Sequence, residues 1–335
     1  MLKNILPLFL IVLMIFNPGD AHSQNKLAQT GFQFLSVGTD ARATAMGESF
    51  TTMEGNSSSL FYNPAGLARV KSFLDISLNQ TNWIADIDYV SGSLAINLAD
   101  RKYGVFGVSF LSVNYGEFLW TQVANNDRGF NDIKNWPEPY SLMFGVGYGK
   151  DLSDKFAVGG QIKYVNQNLG RSYVPIFTEN DTLSEEVKYS LDVFAFDFGT
   201  IYKTGFKSLT FGMTVRNFAK EIKFEKESFQ LPLTFKIGVS INAFDFLPSL
   251  SEAHSLIISL DAVHPRSYPE FLNIGGEYTL MNMLALRLGY ITNNDDYGLT
   301  TGFGINKYGF AIDYSYTPFD VFENINRVSI RFSIL

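Results

Sequence analysis

The sequence predicts an all-β fold: a transmembrane antiparallel β-barrel of about fourteen strands, preceded by a small N-terminal helical plug. Three observations predict it: apolar and polar residues alternate along the strands, connections are alternately short and long, and the chain ends inside a strand. In the last strand, Asn326–Leu335, four apolar residues at even positions alternate with arginine and serine at odd positions. A closed barrel places such apolar side chains against lipid and the polar ones in its lumen.

The alternation continues through most of the chain. It predicts strands near 73–81, 86–97, 103–113, 139–149, 155–167, 187–202, 207–216, 231–241, 254–262, 270–280, 283–292, 299–305, 309–316 and 326–335. Most approach the ~9–11 residues of a tilted membrane strand, whereas soluble strands average about five or six. A secreted β-sandwich is the alternative, because one buried face is enough to produce alternation. It does not explain the strand lengths, the alternating connections or the end of the chain within a strand.

The connections support the barrel. If the N-terminal segment is periplasmic, the outward connections can be long, and four are: Asn114–Glu138, Asn168–Glu186, Asn217–Gln230 and Thr317–Ile325. One predicted inner connection, Asn242–Ala253, is also long, and its aromatic residues predict that it folds onto another part of the protein. Asp192 and Asp197 differ in parity, which predicts either a β-bulge near Phe194 or one carboxylate beyond the apolar band.

Composition excludes several classes of protein. The chain has 335 residues, a net charge of −7 with scattered charges, and no cysteine. We therefore expect no nucleic-acid partner, no disulfide framework and no thiolate metal site. After the N-terminus, no apolar run approaches the ~20 residues of a membrane-spanning helix.

The N-terminus reads as a secretory leader. Lys3 precedes an apolar stretch, Ile5–Phe16, and small residues stand at the positions before Gln24. A membrane anchor is disfavoured because the apolar stretch is too short to span a bilayer. The expected organisation is a signal peptide at 1–23, an N-terminal plug segment at 24–70 and an outer-membrane β-barrel at 71–335.

The segment before the barrel contains short helical patterns. Asp40–Met46 is rich in helix formers, with Thr39 or Asp40 as the N-cap and Gly47 as the stop. Asn63 precedes Pro64, which fixes its own φ and disfavours helix at Asn63, so Asn63 can cap the turn that follows. Such a segment is too small to fold alone and must pack on or inside the barrel.

Two blocks of this segment, Gly31–Gly47 and Ser58–Ala68, resemble the opening of the PorV/PorQ family, as Asn326–Ile330 resembles its closing strand. These are outer-membrane proteins of the Bacteroidetes type IX secretion system, related in fold to FadL fatty-acid transporters. The resemblance implies a fourteen-stranded plugged barrel in the outer membrane of a Gram-negative, Bacteroidetes-like bacterium. The residues of the motif that would join plug and barrel are Asp40, Arg42, Met46, Gly47, Asn63, Pro64, Ala65 and Gly66. They either hold the plug in place, the favoured interpretation, or act as a gate.

Enzymatic chemistry is not indicated. The three histidines are His22, in the leader, and His254 and His264, at opposite ends of one predicted strand. No nucleophile–base arrangement and no clustered Cys/His pattern accompanies them, so we expect no enzyme activity, no cofactor and no metal.

The family resemblance implies a non-enzymatic barrel that engages exported proteins or sister subunits through its outer loops. Trp120 and Trp136 in the first long loop, with Arg171 and Tyr173 in the second, are the candidate contact residues. A FadL-like transporter of hydrophobic small molecules is the alternative, and it requires an apolar pocket for a ligand among the plug, strands and loops. A purely structural barrel is a third hypothesis. Outer-membrane lipid surrounds the protein in each case.

Overall fold

The computed structural model describes residues 30–124, 126–133, 138–177, 182–224, 227–247, 253–294, 298–319 and 322–334. Its strands are β1 Leu74–Asn82, β2 Asp88–Asn97, β3 Val105–Asn114, β4 Thr121–Val123, β5 Phe130–Asp132, β6 Tyr140–Asp151, β7 Phe156–Phe177, β8 Thr182–Lys203, β9 Thr210–Phe218, β10 Ile222–Phe224, β11 Glu227–Phe229, β12 Thr234–Asn242, β13 His254–Pro265, β14 Phe271–Leu280, β15 Leu284–Ile291, β16 Leu299–Lys307, β17 Phe310–Thr317 and β18 Ile325–Ile334. One α-helix, α1, spans Ala41–Ala45, and 3-10 helices span Gln33–Ser36, Ser57–Phe61, Pro64–Arg69, Ile84–Asp86 and Ala243–Phe246. Within the described ranges, no helix combines the length and hydropathy needed to cross a membrane.

Fourteen of these strands form one closed antiparallel barrel. Each barrel strand pairs with its neighbours along the chain, and β1 pairs with both β2 and β18, which closes the cylinder. The other four strands form two small hairpins, β4–β5 and β10–β11, within connections. The predicted fold class and strand number are therefore confirmed.

The two ends of the barrel differ. The end at which β1 starts and β18 finishes, here called the turn end, carries connections such as 98–104, 152–155 and 308–309. The opposite end, here called the loop end, carries 115–139 and 219–233. The long connection predicted to fold onto another part of the protein does so at the turn end, where the Phe244 and Tyr278 ring centroids lie 6.4 Å apart.

The alternation separates lipid-facing from lumen-facing side chains. In β15, Leu286 is 62% exposed on the outer face, whereas Arg287 is only 8% exposed on the inner face. Charged side chains on the lipid side cost about 2–4 kcal/mol each at the bilayer midplane, so the inward arginine is the expected arrangement. The outer face is apolar in the other strands too, with exposed Phe144, Phe198 and Ile312.

Residues 30–72 form the plug, which runs through the lumen from the loop end to the turn end. Thr30 makes a parallel β-bridge with Gln230 at the loop end. At the other end of the plug, the Asn97 Nδ2 donates a hydrogen bond to the Val70 carbonyl over 3.0 Å. Residues 1–29, including the expected signal peptide, lie outside the described residues.

Strands β7 and β8 extend beyond the rim at the loop end. Each has 22 residues, but β6 pairs with β7 only as far as Asn168, and β9 pairs with β8 only from Phe196. Residues 169–177 and 182–190 thus form a two-stranded ribbon, with a bulge where Gly170 has φ 90°. The prediction of a loop over Asn168–Glu186 is wrong for most of its length, because the bulge offsets the alternation and hides the strand.

The two aspartates of β8 lie on opposite faces. Asp197 is buried in the lumen, with one carboxylate oxygen 2.8 Å from Lys163 Nζ. Asp192 lies on the outer face near the loop end, where its carboxylate accepts hydrogen bonds from Tyr164 and Asn166. The register shift falls between Phe196 and Phe198, against β9, rather than near Phe194. The alternative in which a bulge brings both carboxylates to one face is therefore wrong, and Asp192 lies on the outer face.

Candidate functional site: the plug, the barrel wall and the loop end

Helix α1 attaches the plug to the wall formed by β15–β18. The Asp40 carboxylate, one of the two N-cap candidates in the sequence, caps it by accepting a 2.9 Å hydrogen bond from the Ala43 N–H. Gly47 ends it with φ 61°, a left-handed conformation that glycine adopts without strain. The Ala41 N–H donates to Ser329 Oγ over 2.8 Å, so the start of the helix is bonded to the last strand.

Arg42 connects α1 to a buried chain of charges on the wall. Its guanidinium makes a two-pronged contact with Glu277, at 2.8 Å from Nε and 2.6 Å from Nη2. Arg287 donates to the same carboxylate over 2.6 Å and to Asp313 over 2.7 Å. Two arginines and two carboxylates therefore alternate across β14, β15 and β17, and all four charges are neutralised within the lumen.

The wall is lined with glycine where the backbone of the plug passes. A Cβ on Gly275 would lie 2.6 Å from the Met46 carbonyl oxygen, and a Cβ on Gly289 would overlap the Gly47 backbone. On the opposite wall, a Cβ on Gly159 would lie 2.5 Å from the Ala65 nitrogen. Met46 and Ala65 are fully buried at these contacts. The plug thus packs backbone against backbone on both sides of the lumen.

Asn63 anchors the second half of the plug. Its Oδ1 accepts a 3.1 Å hydrogen bond from the Ala65 N–H and caps the 3-10 helix that begins at Pro64. Its Nδ2 donates to the carbonyls of Thr51, at 2.7 Å, and Thr200, at 3.2 Å. Asn63 therefore joins two parts of the plug to β8. Gly66 lies within the same helix, where a Cβ would be 2.7 Å from the Met53 carbonyl oxygen.

We expect Asn63→Asp to destabilise the protein by about 2–4 kcal/mol, because it removes two buried donors and places a negative charge against two carbonyl oxygens. The cap on Ala65 can persist, so the loss isolates the contacts with Thr51 and Thr200. The measurement is the midpoint of guanidinium unfolding in detergent. Asn126→Asp, in an exposed connection at the loop end, is the control and should change the midpoint little.

An apolar cluster fills the lumen near the loop end. The plug contributes Phe32, Phe34, Leu35, Phe50 and Phe61, and the wall contributes Tyr89, Leu111, Val113, Met143, Val165 and Val193. Burial raises the pKa of the Tyr62 phenol, which keeps this hydroxyl neutral within the cluster. Between the cluster and Lys163 there is a cavity of only about 20 Å³, roughly the space of one water molecule.

The loop end carries the residues predicted to contact partners. Trp120 lies beside Phe118, with ring centroids 6.0 Å apart, in the connection that contains β4–β5. Arg171 and Tyr173 lie on the β7–β8 ribbon, where Arg171 Nη1 is 2.6 Å from the Glu186 carboxylate. Trp136 lies outside the described residues. The structure therefore brings Arg171 and Tyr173 together on one element and places Trp120 on another.

The lumen is open near the turn end. A cavity of about 740 Å³ extends from Lys71, Asn282 and Asn306 at the rim to Arg42 and Glu277 beneath α1. A second cavity of about 680 Å³ adjoins it and shares the residues Glu54 and Lys71. Between them, Arg69 Nε lies 3.2 Å from carboxylate oxygens of both Glu54 and Asp151.

The alternation along β15 and β17 is enough to put Arg287 and Asp313 on the polar faces of their strands, but it does not pair them with Arg42. Glu277 and the Lys163–Asp197 pair were missed as members of the site. The sequence does contain a signal for Glu277: it is a single charged residue that follows small residues on the lumen face of a strand, as in Gly275-Gly276-Glu277. Alternation predicts that such a charge points inward, but it does not give the partner across the lumen.

The match to a family model covers more than half of the chain. Residues 20–261 match the model described as type IX secretion system protein PorV. The chain belongs to the PorV family. It is thus an outer-membrane barrel protein, and the PorV/PorQ resemblance of its N-terminal blocks is confirmed. No curated protein matches the chain.

Solved structures of similar fold include two toluene transporters and a FadL homologue. The Ralstonia pickettii toluene transporter TbuX superposes with a TM-score of 0.57 at 12% identity, covering 89% of this chain and 99% of its own. The Pseudomonas putida toluene transporter TodX gives 0.55 at 12% identity, with 92% and 98% covered. A Pseudomonas aeruginosa FadL homologue gives 0.53 at 11% identity, with 89% and 98% covered. At these identities the likeness shows the fold alone.

Proposed function

We propose that this PorV-family barrel is a non-enzymatic component of type IX protein secretion and surface attachment. In this role its loop end engages exported proteins or sister subunits of the secretion system. The observation that carries the proposal, beside the family, is that the lumen is filled near the loop end, where the plug and the apolar cluster leave a cavity of only about 20 Å³. Because the plug blocks the passage at this end, we expect the barrel to act through its surfaces rather than as a channel.

The β7–β8 ribbon is the element best placed to contact a partner. It stands clear of the rim because neither β6 nor β9 pairs with its outer part. Tyr173 is 40% and Val174 39% exposed on it. Exposed aromatic and aliphatic side chains on a hydrogen-bonded ribbon resemble the anchors that dominate binding energy at interfaces.

The net charge of the loop end indicates the charge that a partner's contact surface should carry. The connections at this end contain fifteen acidic and six basic residues in sequence, whereas those at the turn end contain four of each. An acidic rim attracts and orients a basic surface. We infer that the partner presents lysine or arginine around its contact residues.

Removal of the ribbon tests the proposal. Asn168 and Ser190 are direct partners in the β7–β8 register, so Asn-Gly can replace residues 169–189 and close the hairpin with a two-residue turn. Loss of two anchors worth about 2 kcal/mol each would weaken binding at least about tenfold. Surface delivery of exported proteins should fall accordingly, while folded barrel in the outer membrane stays at its normal level.

A matched pair of aromatic substitutions is the control. Tyr173→Ala on the ribbon should reduce delivery, whereas Tyr308→Ala, an 88% exposed residue at the turn end, should not. Normal delivery after removal of both the ribbon and 115–139 would contradict the proposal.

A second candidate function is FadL-like transport of hydrophobic small molecules. The apolar cluster supports it, because aromatic and aliphatic side chains from plug and wall surround Phe32 and Phe34. Those plug residues would have to leave for a ligand to enter, since the remaining cavity holds about one water molecule. Slower uptake of an aromatic hydrocarbon by a deletion strain, with normal protein secretion, would favour this function.

A further inference from the structure

The larger cavity at the turn end, here called the vestibule, contains positive charge that no carboxylate of the described residues neutralises. Its lining includes Arg42, Lys71, Arg287 and Arg331 as cations, and Glu54, Glu277 and Asp313 as anions. Some of these charges are neutralised by neighbouring residues and others are not.

The three anions of the vestibule are already engaged. Glu277 binds both Arg42 and Arg287, and Asp313 binds Arg287. Glu54 pairs with Arg69, 3.2 Å away, and with Lys203, both on the side of the smaller cavity. The charges of Arg42 and Arg287 are therefore balanced within the wall and plug.

The other two cations are not paired with any carboxylate in the described part of the chain. Arg331, on the lumen face of β18, makes no hydrogen bond or ion pair with described residues, and its Nε is shielded from solvent without an acceptor. Lys71, at the rim where the plug meets β1, is exposed and also has no side-chain partner among these residues. A shielded donor without an acceptor is unfavourable, because it has lost its hydrogen bonds to water without replacing them.

We propose that the vestibule is a binding site for an anionic ligand, which presents a carboxylate or phosphate group to Arg331 and Lys71. The acceptor oxygens of such a group satisfy the guanidinium of Arg331, and the walls of the barrel strengthen the attraction by excluding water. The volume of about 740 Å³ suits a small organic molecule or a peptide segment of a few residues. The site lies at the opposite end of the barrel from the ribbon, so it is independent of the proposed secretion function.

Isothermal titration of the purified full-length protein in detergent tests the site with two probes, sodium pyrophosphate and acetylated triglutamate. We expect binding that weakens as salt is raised, and a dissociation constant at least about tenfold higher in Arg331→Gln. Lys71→Gln, at an exposed position, should weaken binding as well. Lys155→Gln, in the exposed 152–155 turn and outside the vestibule lining, should leave the affinity unchanged.

The two probes identify the ligand group. Binding of pyrophosphate alone indicates a phosphate ligand, and binding of triglutamate indicates a carboxylate ligand. If Arg331→Gln does not fold, Arg331→Lys and Lys71→Gln together decide the question, since the first keeps the charge and the second removes one. Failure of both probes to bind the wild-type protein, or equal affinity in Lys71→Gln and Lys155→Gln, overturns the proposal.

Discussion

Replacing Glu277 with alanine is expected to produce the largest loss of stability in the protein, about 3–5 kcal/mol. The substitution removes the carboxylate that binds Arg42 and Arg287, and the Glu277 side chain is only 4% exposed. A guanidinium left in the lumen without its counter-ion destabilises the protein by more than the ion pair stabilised it. The measurement is guanidinium unfolding in detergent, followed by the gel mobility that separates folded from unfolded barrels.

The control for Glu277→Ala is a charge pair at the surface. Asp132 lies 3.2 Å from Arg128 with both side chains more than half exposed, and such pairs contribute about 0–1 kcal/mol. Asp132→Asn should therefore shift the unfolding midpoint little. Equal losses in the two variants would contradict the role given to the buried charges.

A combined effect on stability and on conductance is expected at Gly159, where the wall meets the Asn63–Pro64 motif. A side chain at this position would overlap the Pro64 backbone, which lies inside a closed cylinder and has little room to move. We expect Gly159→Val to destabilise the protein by about 1–3 kcal/mol. We also expect it to displace the plug, so that single-channel conductance in planar bilayers rises above the wild-type level.

Gly160 provides a matched control one residue away. Its Cβ would meet no atom closer than 3.5 Å, because it points outward toward β8 and the lipid. Gly160→Val should keep wild-type conductance and stability. An unchanged plug in Gly159→Val, measured as wild-type conductance, would show that the close backbone contact does not hold it in place.

Alternation predicted the barrel well because lipid and lumen impose opposite chemistry on successive residues. All fourteen barrel strands were predicted near their observed positions, and the caps at Asp40 and Asn63 followed from local hydrogen bonding. The β7–β8 ribbon was missed because it leaves the membrane, where neither face needs to be apolar. The bulge at Gly170 then removes the period-two signal that would have extended both strands.

The candidate site could be predicted only in part, for a physical reason. Asp40, Gly47 and Asn63 act within a few residues of the chain, so their local roles follow from residue type. The partners of Arg42 are more distant: 235 residues separate it from Glu277. No local pattern encodes that contact. Arg331 could not be singled out either, because its lack of a partner among the described residues depends on which side chains the folded lumen places around it.

The separation of 235 residues between Arg42 and Glu277 affects the order in which the barrel can assemble. The ribosome synthesises the plug first, whereas Glu277, the carboxylate that binds Arg42 of the plug, lies in the last third of the chain. The barrel closes when β18, its last strand, pairs with β1, its first. We therefore expect the plug to enter the lumen before these two strands pair. We expect an assembly intermediate lacking the C-terminal strands to leave its N-terminal segment sensitive to protease, and completion of the cylinder to protect it.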